Sequence, residues 1–142
     1  MNLIICVDKD GGMLFNNRRQ SRDREIILDI LRTVRGERLY IKPHSEKLFS
    51  EHEEYPLLTV ADDPLSIVGE GEWCFIENED IEPHLHKVER LLIYNWNTNY
   101  PYELRLDLGI LDEQFRLSDK RKFVGYSHDE ITRELYRKQI ER

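Results

Sequence analysis

The chain has 142 residues, of which 39% are hydrophobic and 35% charged, and 21 basic against 28 acidic side chains leave a formal net charge of −7. This length suits a single domain over residues 1–142 that buries roughly 68% of its unfolded surface without staples. The composition excludes a disordered chain, and the acidic balance speaks against a nonspecific nucleic-acid binder. Apolar runs of about five residues fall far short of the ~20 needed to span a membrane. The opening MNLIICVDKD carries no basic leader and no small-residue cleavage site. A cytoplasmic protein is therefore expected, with Cys6 and Cys74 as buried, reduced thiols, since both sit in apolar runs and form no CxxC pair.

In chain order, Leu3–Val7 is a continuous run of β-formers and predicts a strand buried on both faces. Asp8–Asn17, with Gly11-Gly12 and two asparagines, reads as a loop. Asp23–Val34 predicts a helix: Ile26, Ile27, Ile30, Leu31 and Val34 share one face, Ser21 or Asp23 can cap it, and Gly36 follows its end. Leu39–Ile41 is a second strand, and Pro43 suits the first turn of a helix running to Ser50. Leu57–Ala61 is a third strand, and Pro64 opens a short helix to about Val68, ended by Gly69. Trp73–Ile76 is a fourth strand, Asp80–Lys87 a short helix, and Arg90–Trp96 a fifth strand. Leu104–Leu108 reads as a short extended piece, and Phe115–Leu117 with Lys122–Val124 as an edge hairpin. Ser127-His128-Asp129-Glu130 fits a capping box and predicts a terminal helix through Gln139, with Ile131 and Leu135 one turn apart. Strands alternating with helices predict an α/β fold with a mostly parallel central sheet.

Three stretches resemble the dihydrofolate reductase-like family, which includes the riboflavin-pathway reductase domains. The first is Leu3–Asp8 with Gly12-Met13, Asn16 and Asp23 opening a helix; it is similar to the family's first strand, glycine-containing loop and acidic residue. The second is Thr33–Ile41, similar to the family's helix end, turn and second strand. The third is Gly71–Ile76 with Ile81 and Val88–Tyr94. The resemblance covers about residues 1–108 and implies that fold, with a pocket for a pterin- or nucleotide-like small molecule and reductase activity. It implies Asp23 as the catalytic acid that hydrogen-bonds the ligand and delivers a proton, with Val7, Asn16 and Ile27 around the substrate. It implies NADPH as cofactor, with contacts at Lys42, His44, Ser45 and Asn78.

The chain departs from the family at that cofactor site. Lys42-Pro43-His44-Ser45 stands where the family carries a Gly-Arg-x-Thr turn, and Glu77-Asn78-Glu79-Asp80 stands in place of paired glycines. Carboxylates there repel a phosphate and block close backbone approach. The nicotinamide motifs are therefore eroded. A noncatalytic binding or protein-interaction module on the same scaffold is the alternative, with the acidic stretch Glu77–Glu82 and the extra C-terminal helix as its partner surface. The family ends instead in a long strand pair.

The remaining constellations carry little chemistry. His84 and His86 point about 200° apart on a helix and cannot easily share an ion, and Glu77, Glu79 and Asp80 lack the spacing of a calcium loop, so no metal is expected. Residues 1–47 hold ten basic and seven acidic side chains, a positive segment on an acidic protein that reads as a solvated helix face or an anion-steering patch. The expected partner is a small-molecule ligand, with no nucleic acid and no membrane. Oligomeric state is left open.

Overall fold

The computed structural model describes residues 1–8, 12–15, 18–19, 23–52, 57–77, 79–96, 104–106, 108–125 and 130–139. In chain order the regular elements are β1 (Asn2–Val7), β2 (Gly12–Phe15), β3 (Arg18–Arg19), α1 (Arg24–Thr33), β4 (Leu39–Ile41), β5 (Leu58–Val60), α2 (Pro64–Ile67), β6 (Trp73–Phe75), β7 (Arg90–Asn95), β8 (Leu104–Arg105), α3 (Leu108–Gln114), β9 (Phe115–Phe123) and β10 (Ile131–Lys138). Two 3-10 helices, Pro43–His52 and Glu82–Lys87, lie between them.

The main sheet runs β5-β4-β6-β1-β7-β10-β9. Its first five strands are parallel, and β10 and then β9 are added antiparallel. A small sheet β3-β2-β8 stands apart. β1 is central because every one of its residues is buried, as a parallel strand covered on both faces requires. Its alternation divides the core. Leu3, Ile5 and Val7 join one apolar cluster with Leu85, Leu106 and Leu111. Ile4 and Cys6 join the other, beneath α1, with Ile26, Ile27, Ile30 and Val34.

α1 follows its sequence pattern closely. Asp23 is its N-cap, in extended backbone, and Oδ1 accepts from the Glu25 N–H at 2.9 Å. Such a cap contributes about 1 kcal/mol. Past its end, Gly36 takes φ +82°, a left-handed conformation that glycine adopts without strain. Cys6 and Cys74 are both buried thiols, and burial, helped by the Glu79 carboxylate, pushes the Cys74 thiol well up.

Four expectations are corrected. The extra C-terminal helix is absent: residues 131–138 form strand β10, which fills the open edge of β7 from Thr132↔Asn95 to Arg137↔Arg90, while positions 127–129 of the expected capping box lie outside the described residues. The edge hairpin within 115–124 is instead one strand, β9, paired along β10 with a bulge at Ser118. Its side chains are mostly exposed, so no apolar alternation marks it. Part of the expected loop 8–17 is strand β2. The extended piece 104–108 shortens to β8, and a helix, α3, begins at Leu108.

Candidate functional site

Ligand sites of parallel sheets lie beyond the carboxyl ends of the strands; of the sequence-predicted site residues, Lys42, His44 and Ser45 follow β4 there, and Val7 is the last residue of β1. Asp23 is 3% exposed and stands at the start of α1, whose Ile27 N–H donates to the Asp23 carbonyl. Ile27 packs in the α1-side cluster that also holds Cys6, Trp96 and Ile131. Val7 ends β1 with its side chain in the opposite cluster and its carbonyl accepting from the Trp96 N–H at 3.0 Å. The structure thus brings Asp23 and Ile27 to one side of the sheet and the Val7 side chain to the other. Asn16 and Asn78 lie outside the described residues.

Beside Val7, Asp8 is fully buried, and its Oδ1 accepts from the Gly12 N–H at 2.8 Å while its own N–H donates to the Gly12 carbonyl at 2.9 Å. This reciprocal pair pins the start of β2 to the end of β1. Asp8 lies just past β1, as expected; the sequence signal for its anchoring role is a carboxylate directly after an all-apolar strand.

Lys42, His44 and Ser45 follow β4, and Glu77 and Glu79 follow β6. Because β4 and β6 are parallel neighbours with Ile41 opposite Phe75, the two loops meet. Lys42 pairs with Glu79. Ser45, 1% exposed, donates its hydroxyl to Glu77 Oε2 at 2.5 Å, and His44 Nε2 lies 3.7 Å from the same oxygen. Glu77 itself is 3% exposed. The carboxylates expected to repel an anion therefore do something more specific: they engage the donors that an anion would use.

A second polar centre was not foreseen. Asp29, on the flank of the α1 apolar face, is buried and accepts from the Tyr94 hydroxyl at 2.6 Å, from Arg133 Nε at 2.9 Å and from Arg121 Nη2 at 2.5 Å. Arg133 also reaches Thr33 Oγ1 at 3.1 Å and Asp119 at 3.3 Å. Burial, then Asp29, holds the Tyr94 phenol neutral by pushing it well up, so it remains a donor. This cluster ties α1 to β7, β9 and β10. Its sequence signal was a lone carboxylate among isoleucines, but its cationic partners lie about a hundred residues away in sequence.

Among the described residues, no group of three or more His, Cys, Asp or Glu side chains is arranged to hold a metal ion, and no helix is long and apolar enough to cross a membrane. No family model matches the sequence, and no curated protein matches it.

Proposed function

We propose that the chain is a dihydrofolate reductase-like domain that binds a small heteroaromatic, pterin- or nucleotide-like ligand at the carboxyl end of β1. The observation that carries this reading is the buried Asp23 carboxylate at the head of α1, with Ile27 one turn on. The Asp23 Oδ1 already caps the helix; each carboxylate oxygen has two lone pairs, so a paired N–H set from an amidine-like ring edge would bind alongside that cap. The sheet adds support, because β9 and β10 form a long antiparallel pair added beside β7, as in that family.

NADPH held in the family's manner does not fit these residues. Lys42 and Ser45 are already engaged by Glu79 and Glu77, and a nucleotide phosphate would have to displace two carboxylates from a partly dehydrated site. The interaction-module alternative loses its terminal helix to β10, and part of its acidic stretch faces internal partners. The reading favoured is therefore ligand binding; the buried thiols of Cys6 and Cys74 support a reducing, cytoplasmic setting for it.

The test is a calorimetric and thermal titration with a reduced pterin, in wild type and Asp23→Asn. Asparagine caps a helix about as well as aspartate, so the fold is retained. Wild type should saturate and gain about 2.7 kcal/mol at a hundredfold excess over Kd, and Asp23→Asn should bind about tenfold more weakly. Equal affinity in the two proteins, or no saturation in either, rejects the reading. Pterin-dependent NADPH oxidation by the wild type would reject the cofactor part alone.

A further inference from the structure

At the opposite end of the sheet, three arginines stand side by side. Antiparallel pairing sets Arg137 of β10 directly across from Arg90 of β7 on one side and from Arg116 of β9 on the other. Residues directly opposite in antiparallel strands project from the same face, and like charges so placed destabilise the pairing. Arg90 is accommodated: its guanidinium lies 4.8 Å from the Trp73 ring centre and 3.8 Å from the Glu37 carboxylate. Arg116 and Arg137 are both exposed, and among the described residues no carboxylate pairs with either.

The local backbone orients this charge. The β9 bulge leaves Ser118 without a β10 partner, and the Ser118 hydroxyl accepts from Arg137 Nε at 3.1 Å. Bulges commonly re-aim a side chain. Here the contact holds one edge of the guanidinium and leaves both Nη groups for another acceptor. Arg116, Arg137, Lys138 and Gln139 line a cleft of about 340 Å³ at this corner. Gln139 closes its end, its amide donating to the Phe115 carbonyl and its backbone N–H to the Gln114 carbonyl. The Lys138 ammonium is tethered to the Leu85 and His86 carbonyls, so the two arginines carry the recognition.

We propose that this cleft is an anion site for a phosphate-bearing small molecule, gripped by Arg137 and Arg116. Two guanidinium forks match the oxygens of a phosphoryl group in a bidentate way and stay charged at every physiological pH. The cleft volume is at the small end of ligand pockets, and what its two arginines recognise is the phosphate or pyrophosphate group itself. A nucleic-acid backbone would need a longer basic track than this corner of an acidic chain offers.

Inorganic phosphate, pyrophosphate and a single-stranded oligonucleotide are titrated separately, by calorimetry in a phosphate-free buffer, into wild type, Arg137→Gln, Arg116→Gln and Lys120→Gln. Lys120 is exposed on the same strand and carries the same charge change. Pyrophosphate should saturate the wild type, bind about tenfold more weakly to each arginine variant, and bind Lys120→Gln within about twofold of wild type. Arg137→Gln should at the same time melt about 1–3 °C higher, because it removes the like-charge pairs. No saturation at millimolar pyrophosphate overturns the proposal. So does equal affinity in all four proteins, or saturation by the oligonucleotide alone.

Discussion

Arg133 and Arg137 lie four residues apart on β10 and project from the same face of the sheet, each between one neighbour from β7 and one from β9. Arg133 stands between Tyr94 and Arg121, and Arg137 between Arg90 and Arg116. The first rung is covered by α1, which supplies Asp29 and Thr33, and the Arg133 side chain is only 10% exposed. In the second rung Arg137 and Arg116 have no carboxylate partner among the described residues, and both are exposed. A charge buried beneath a helix must be paired, because desolvation costs several kcal/mol per ion. At a wet corner no such constraint operates, and a cluster of like charge can be kept for something that arrives from solution. The Lys42–Glu79 and Ser45–Glu77 contacts resemble the first rung, since donors there are satisfied from within the chain.

The largest effect should come from breaking the paired rung. Asp29→Ala leaves Arg133 buried without its main acceptor and should cost about 3–5 kcal/mol, read as a fall in the urea midpoint at unchanged m-value. Raising pH attacks the same rung from its neutral member. The Tyr94 phenol is raised above its ordinary 10.0 and the Cys74 thiol above its ordinary 9.0. Above those ordinary values the unfolded chain releases protons that the folded chain keeps. Stability should therefore be flat in pH up to about 9 and then fall by up to about 1.4 kcal/mol per pH unit for each group. Urea titrations between about pH 8 and pH 11 check the slope, and Tyr94→Phe should flatten its upper part.

Smaller effects separate the satisfied carboxyl end from the open corner. Glu79→Gln breaks a partly exposed pair and should change stability by less than about 1 kcal/mol. In an Arg137→Gln background, where the corner no longer contributes, it should also raise phosphate affinity near Lys42; unchanged affinity would show that Glu79 does not compete with an anion there. Smallest, and opposite in sign, Arg137→Gln should gain a few tenths of a kcal/mol. A loss there would mean that the arginine row is already neutralised within the molecule.

The elements legible in the sequence are those whose signals are local. β1 is an unbroken apolar run, α1 has its cap and a 3.6-residue apolar face, and the proline-headed 3-10 turn after β4 follows from a fixed φ. Asp23 and the basic loop of Lys42, His44 and Ser45 could be located for the same reason. What the carboxylates after β6 do with that loop could not be read, because their meeting depends on β4 and β6 being neighbours in the sheet although about thirty residues separate them.

The C-terminal region shows most clearly where the amino-acid sequence stops deciding. Ile131 and Leu135 are four residues apart, a spacing that places them on one face of a helix and equally on one face of a strand. The β choice belongs to the tertiary structure. β7 presents an unpaired row of backbone donors and acceptors, which β10 satisfies, and as a strand β10 delivers Arg133 to Asp29 and Tyr94. β9, polar from Ser118 through Lys122 and mostly exposed, becomes a strand only because β10 is beside it. Sequence by itself thus determined the parallel α/β half of the protein, through periodicities that each segment carries alone. The antiparallel edge, the buried Asp29 cluster and the arginine row exist only in the assembled sheet, because each needs partners brought together from distant parts of the chain.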